Sequence, residues 1–395
     1  METSIPSRVA IVGAGISALL LARRLRLRSP TMHIDLYEQE EQVGGRLTCR
    51  DATLRIISPT LADFWDQTLR SDPEAADLQQ LTNVKTLETI GLVTQGKMFE
   101  IAHADLFSQT TIKILSNRQT SQHWERFTAA SSSKKCKTLD RLYVTTLNKL
   151  APLLGLPDLC DLTIAVCQKK IANFSTQEWL YTEDWQPALS ALTQSVNVHN
   201  DCPVVAASCE QVAGTSDSKQ AWHLVSKAGA VDYDMIVAAH PLWSADGWLA
   251  KKYLDPFALH KEAPISSLCI GVAAGRASLP TCMFVASEQV LVLGAGDLYV
   301  LSIRLPFEVS LQAPRVLQAL GKLKRAARSL QKHDQHLKPE PLWVALMPAA
   351  LVIPVPTLTD VPLFCGDNYG DDSEDTDSNI VASVLNGVDN ISSRN

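Results

Sequence analysis

The stretch RVAIVGAGISALLLARRL, residues 8 to 25, constrains this chain more than any other part of it. Residues 9–12, VAIV, are a continuous apolar run of the kind a parallel strand shows when both faces are buried. Gly13 permits a tight turn directly after that run, and Gly15 removes the Cβ that would hold a backbone away from a pyrophosphate. Ile16 and Ser17 open a helix whose first N–H groups suit phosphate oxygens. Ala18 is small enough to let that helix pack on the strand. A second strand, HIDLYE, ends at Glu38, where a carboxylate takes the hydroxyls of an adenosine ribose. The same charge repels a 2′-phosphate, and Glu40 and Glu41 add to the repulsion. Strand, glycine corner, helix, strand and acid, in this order, predict a Rossmann-like α/β dinucleotide site.

Composition narrows the partners. The 395 residues suggest two domains or one large elaborated one. A net charge of −6 and a pI near 5.9, with no basic stripe, argue against nucleic acid. The basic run from Arg23 to Arg28 falls at the end of the predicted helix, where cations complement the helix dipole. No apolar run of about 18 residues appears, so no transmembrane helix is expected. The first seven residues do not resemble a signal peptide. Nine scattered cysteines without a CxxC pair fit reduced thiols and a cytoplasmic location better than a disulfide frame or a zinc site.

The residues after Glu38 bear on which dinucleotide is held. QEEQVGGRLTCR places Gly44, Gly45 and Arg46 just past the second strand. A plain NAD dehydrogenase has no need of this triplet directly after its second strand, and the two phosphates of a dinucleotide welcome a cation beside a helix end. Further on, SVNVHNDCPVVAASCEQV reads as strand, turn and strand through Val204 and Val205. AWHLVSKAGAVDYDMIVAAHP then reads as a hairpin and a closing apolar strand. VPLFCGDNYG is an apolar strand ending in Gly366 and Asp367, and NIVASVLNGVDNI is a helix carrying Ala382 and Ser383.

These segments, in this order, resemble the FAD-dependent amine oxidase superfamily, and within it the renalase-like members. Those chains carry a strand like PLWVALMPA (residues 341–349) and a short helix like DWQPALSALTQSV. The resemblance implies that Gly44 and Gly45 turn the chain over the cofactor and that Arg46 meets its pyrophosphate. It implies that the Val204 backbone reaches the adenine and that Asp367, after Gly366, holds the ribityl chain. Ala382 and Ser383 would belong to the small-residue pattern of the helix that begins under the flavin ring, and Trp343 would wall the pocket. Non-covalent FAD follows, since no Cys or His stands where the family attaches flavin. The implied reaction is hydride transfer from a small amine or dihydropyridine-type substrate to flavin N5, with O₂ as acceptor. The alternatives are an FAD-binding protein without activity and an NAD-dependent dehydrogenase.

The chain departs from the family in places. No glycine stands between Gly45 and Gly91, where relatives carry an Asp-x-Gly-Ala stretch. The segment DDSEDTDS, residues 371–378, is acidic where theirs is small and neutral. No lysine is placed to hold water near flavin N5, and catalytic residues other than the flavin stay unassigned. VLVLGAGDLYVL repeats a GxG, but a strand follows it, so it reads as a hairpin. His333, Asp334 and His336 have metal-like spacing yet read as a solvated helix end, and no metal is expected. RVLQALGKLKRAARSLQKH is an amphipathic helix with a basic face. The fold expected is α/β, with a discontinuous Rossmann-like FAD-binding domain (1–60, 180–245, 340–395). A mixed α+β substrate domain (61–179, 246–339) is inserted into it.

Overall fold

The computed structural model describes residues 6–45, 56–57, 64, 66–68, 85–102, 180–181, 186–194, 196–211, 220–240, 247–254, 265–275, 279–295, 297–306, 310–349, 363–364, 384–386, 388–389 and 391. Four sheets organise them. The first is parallel and holds β1 (Arg8–Val12), β2 (His33–Tyr37), β8 (Asn197–His199), β12 (Met235–Ala238) and β18 (Leu363–Phe364), in the order β18-β12-β1-β2-β8. Helix α1 (Ile16–Arg28) makes the crossover from β1 to β2.

Both faces of this sheet are covered, which is why its strands read as unbroken apolar runs. Val9, Ile11, Ile34, Leu36 and Val237 point toward α1 and α2 (Gln186–Thr193). Val384, Val388 and Ile391, spaced as one helix face, reach the same core. Ala10, Val12, Ile236 and Ala238 point the other way, onto Trp222 and Leu224. Those two lie in an antiparallel sheet of β9 (Val204–Gln211), β10 (Gln220–Ser226) and β11 (Gly229–Tyr233). Helix α1 is buried nearly all round, Arg23 included. Arg23 therefore departs from the expectation that the basic run as a whole serves the helix end: it is buried and lies before the last turn. Its guanidinium reaches inward to donate to the Gln194 carbonyl. Arg26 and Arg28 do occupy the last turn.

The largest sheet has seven strands in the order β17-β13-β16-β15-β14-β5-β6. They are β5 (Thr89–Thr94), β6 (Lys97–Ala102), β13 (Ile265–Ala273), β14 (Cys282–Val285), β15 (Val290–Ala295), β16 (Leu298–Pro306) and β17 (Pro341–Ala349). Helix α3 (Pro314–Gln331), the amphipathic helix read in the sequence, buries Val316, Ala319, Leu323 and Leu330 against one face. The second GxG lies where β15 turns into β16, with Ala295 opposite Leu298, so it is the hairpin expected. A small sheet joins β3 (Ile56–Ile57), β7 (Leu180–Tyr181) and β4 (Lys85–Thr86). Among the described residues no helix is long and apolar enough to cross a membrane. The described cysteines, Cys202, Cys209, Cys269 and Cys282, form no disulfide.

Candidate dinucleotide-binding site

Register sets the carboxyl ends of the parallel strands level with one another. Val12 pairs with Tyr37 and Ala238, Tyr37 with His199, and Ala238 with Phe364. The chain leaves β1 toward β2, while β12 flanks β1 on the other side. That is the arrangement that opens a ligand crevice beyond the carboxyl ends of an open α/β sheet.

Gly13 sits at φ +98°, and its N–H donates to the Tyr37 carbonyl at 2.8 Å. A Cβ on it would lie 2.8 Å from the Ala239 carbonyl oxygen and 3.3 Å from His240 Cβ. Only glycine lets β1 turn this tightly beside β12. Gly15 is the N-cap of α1, extended at φ −70° and ψ 172°, and it supplies no side-chain cap. A Cβ there would meet nothing within 4 Å. The helix thus begins at open space with its positive dipole end uncapped, a setting that suits phosphate oxygens. Behind it Ile16, Ser17 and Ala18 are buried in the core with β1.

The second glycine motif folds onto the first. Gly44 donates its N–H to the Ala14 carbonyl at 2.7 Å, and Gly15 and Gly44 form a parallel bridge. Gly45, at φ +54°, is so close that a Cβ on it would lie 3.1 Å from Gly15 Cα. Two glycine turns separated by an entire helix and strand therefore meet backbone to backbone at the mouth of the crevice.

Glu38 closes the other side. Its Oε2 accepts the Ala14 N–H at 2.8 Å and its Oε1 the Glu40 N–H at 3.1 Å. The side chain is 7% exposed. Burial pushes its carboxyl above the ordinary range, partly offset by N–H bonds from Ala14, Glu40 and Gln39. A carboxylate has about four acceptor sites, so capacity remains for hydroxyl donors. The Cys202 N–H donates to the Glu38 carbonyl at 2.8 Å and ties the segment leading into β9 to this corner. Val204, half-buried at the start of β9, is therefore two residues from a direct link to Glu38.

The residues available fit a dinucleotide: an open helix start for the diphosphate, with an acid at the end of the second strand. Residues 11–64 match the NAD(P)-binding Rossmann-like domain family. The fold is Rossmann-like. Solved structures share it over nearly the whole length. An oxidoreductase from Methanosarcina mazei is 12% identical with a TM-score of 0.66, covering 96% of this chain and 99% of that one. Putrescine oxidase, solved with putrescine bound, is 13% identical with a TM-score of 0.60, covering 98% and 99%. Cyclohexylamine oxidase from Brevibacterium oxydans is 11% identical with a TM-score of 0.57, covering 98% and 100%. No curated protein matches the chain.

Gly13, Gly15, Ile16, Ser17, Ala18, Glu38, Gly44 and Gly45 are thus gathered at one corner. Arg46, Gly366, Asp367, Ala382 and Ser383 lie outside the described residues, as does the acidic segment 371–378. Trp343 lies on β17, which pairs with β13 in the seven-stranded sheet.

His240 escaped the sequence reading. It stands two residues past β12, beside Gly13, and its Nε2 accepts the Trp248 indole N–H at 3.0 Å. The signal for it was positional, because residues just past the strand flanking the first one line the crevice. Asp334 was misread. It is 4% exposed, not solvated, and its Oδ1 accepts the His336 N–H at 3.0 Å. Gly275 makes room for it, since a Cβ there would lie 2.7 Å from Asp334 Oδ1.

Proposed function

We propose that this chain is an FAD-dependent oxidoreductase of the amine oxidase superfamily, renalase-like, acting on a small amine or dihydropyridine-type substrate. The observation that carries the reading is the contact between the two glycine turns at Gly15, Gly44 and Gly45. A single helix end serves any dinucleotide; a second glycine turn folded onto it, with an arginine next in sequence to meet the diphosphate, is what the resemblance to the FAD-dependent family calls for and a plain NAD site does without. The whole-length likeness to putrescine oxidase and cyclohexylamine oxidase supports the same choice.

In this reading Gly13, Gly15, Ile16, Ser17 and Ala18 seat the diphosphate, and Glu38 accepts from the adenosine ribose. Gly44, Gly45 and Arg46 close over the diphosphate, and the Val204 backbone meets the adenine. Gly366 and Asp367 take the ribityl chain, while Ala382 and Ser383 lie under the pyrimidine end. When bound, FAD supplies the hydride acceptor and passes electrons to O₂; the protein supplies binding, orientation and exclusion of water. The domain division at 1–60, 180–245 and 340–395 against 61–179 and 246–339, and a cytoplasmic location, belong to the same proposal.

Purified protein is then yellow, and its visible absorbance bleaches when substrate is added without oxygen. Folded protein that stays colourless with added FAD overturns the reading. If such protein binds NADH, it is a nicotinamide dehydrogenase using the same corner. Yellow protein that resists every reductant marks an FAD-binding chain without activity.

A further inference from the structure

The seven-stranded sheet carries a polar group that the fold leaves unsatisfied. Trp343 of β17 stands opposite Gly271 of β13 and is 8% exposed. Its indole lies directly on that glycine: a Cβ added to Gly271 would come within 2.3 Å of Trp343 Cε2 and 2.4 Å of Nε1. The Nε1–H is buried and has no hydrogen-bond partner. Orphan donors of this kind are costly in a folded interior, and each one found calls for an explanation.

Alternation along the strands identifies the face. Leu268, Ile270 and Val272 of β13 and Leu301 and Ile303 of β16 share the core with α3. Cys269 and Gly271 therefore face the opposite way. There Cys269 and Trp343 form a separate buried cluster, with Leu298, Val300 and Ala345 packed around it. None of the side chains described on this face of β13, β16 and β17 is charged. Ser267 and Ser302 bring hydroxyls to the same face, and the Trp343 indole N–H is its buried donor without a partner.

We infer that Trp343 determines specificity, its indole N–H taking a carbonyl or carboxylate oxygen of an apolar substrate held against the Gly271 face. An indole nitrogen donates and cannot accept, so it matches an oxygen acceptor and offers nothing to an alkylammonium. An ammonium is matched best by a carboxylate, and the described part of this wall presents none, only the hydroxyls of Ser267 and Ser302. Gly271 takes part by lacking a side chain, since any Cβ would displace the ring. The inference rests on the FAD-oxidoreductase reading, in which this sheet walls the substrate, and narrows its substrate class to carbonyl-bearing molecules.

Calorimetric titration of the full chain, with and without saturating FAD, tests it with benzamide, benzylamine and toluene as probes. Wild type binds benzamide about tenfold more tightly than toluene or benzylamine, the scale of one hydrogen bond to an otherwise orphaned donor. Trp343→Phe keeps an aromatic ring, deletes the donor and removes that preference, while toluene binding stays close to wild type. Equal losses for benzamide and toluene reveal packing alone and overturn the inference. So does a wild type that prefers benzylamine or fails to bind benzamide, an outcome that needs no variant to fold. Yellow protein without the preference sinks this inference and leaves the flavin reading standing. Colourless protein that keeps the preference does the reverse.

Discussion

At Gly13 the backbone occupies φ +98° and a Cβ would meet the Ala239 carbonyl at 2.8 Å; at Gly15 a Cβ would meet nothing within 4 Å. The two positions answer substitution differently. Gly13→Ala forces a strained backbone against β12 and lowers unfolding free energy by about 1–3 kcal/mol, measured by urea denaturation. Gly15→Ala keeps a permitted conformation and costs under about 1 kcal/mol as a poorer N-cap. Its methyl group nevertheless fills the approach to the helix start, so nucleotide affinity falls about tenfold or more, a penalty of about 1.4 kcal/mol. Glu38 supplies a pH test with a definite sign. Ribose hydroxyls donate to the ionised carboxylate, so binding favours that form. Affinity is level at high pH and falls as pH drops through the carboxyl's pKa in the free protein. Because burial raises that pKa, the fall begins above the ordinary carboxylate value of about 4.3. Glu38→Gln removes the inflection, and titrations of nucleotide from pH 8 to pH 4 check both curves.

Among the elements, β2 carries its polar residues at alternate positions, and one of them pins three segments together. Asp35, 4% exposed, accepts from His199 at 3.1 Å, Tyr233 at 2.8 Å and Asn197 at 3.2 Å, and pairs with His33 at 3.0 Å. It therefore links β2 to β8 and to the end of β11. Burial works to raise its pKa, but the bonds from His199, Tyr233 and Asn197 and the charge of His33 outweigh burial and hold it below the ordinary value. A carboxyl depressed in this way contributes stability above its unfolded pKa of about 3.9 and loses it as pH falls through the folded value. Asp35→Asn is accordingly destabilising by about 1–3 kcal/mol at pH 7, and the difference shrinks below pH 4 in urea unfolding. Helix α3 invites the opposite change. Gly321 lies in its interior, and a Cβ there would make only ordinary contact, 3.6 Å from Arg325 Nη1. Gly321→Ala raises stability by about 0.5–1 kcal/mol and lifts Tm in a thermal scan.

Elements with a strong period were legible in the sequence. These were the β1–α1–β2 corner and the amphipathic α3; the short α2 was read from the family resemblance and the hairpin from the strand that follows the second GxG. The glycines at 13, 15, 44 and 45 were legible because turn chemistry is local. The buried setting of Arg23, Asp35 and Asp334 was not, because each owes it to a partner far along the chain or to a glycine such as Gly275 that clears room. His240 was missed for a related reason: its residue type means little until β12 is known to flank β1.

For the molecule as a whole, the nucleotide corner is assembled from β1, β2 and β12, whose residues are scattered from Arg8 to Ala238. The same sheet closes with β18 and shares its core with Val384, Val388 and Ile391. A ligand there bridges segments that stay together only in the folded state, so binding acts on global unfolding, not on one loop. Linkage gives the size: at about 100 times Kd a ligand absent from the unfolded chain adds about 2.7 kcal/mol. Added FAD should raise Tm of the full chain by several degrees in one cooperative step, and Gly15→Ala, at about tenfold weaker binding, should remove about half of the rise while leaving the ligand-free Tm nearly unchanged. A Tm insensitive to FAD in the wild type would sink the flavin reading. An equal rise in the variant would place the cofactor elsewhere on the molecule.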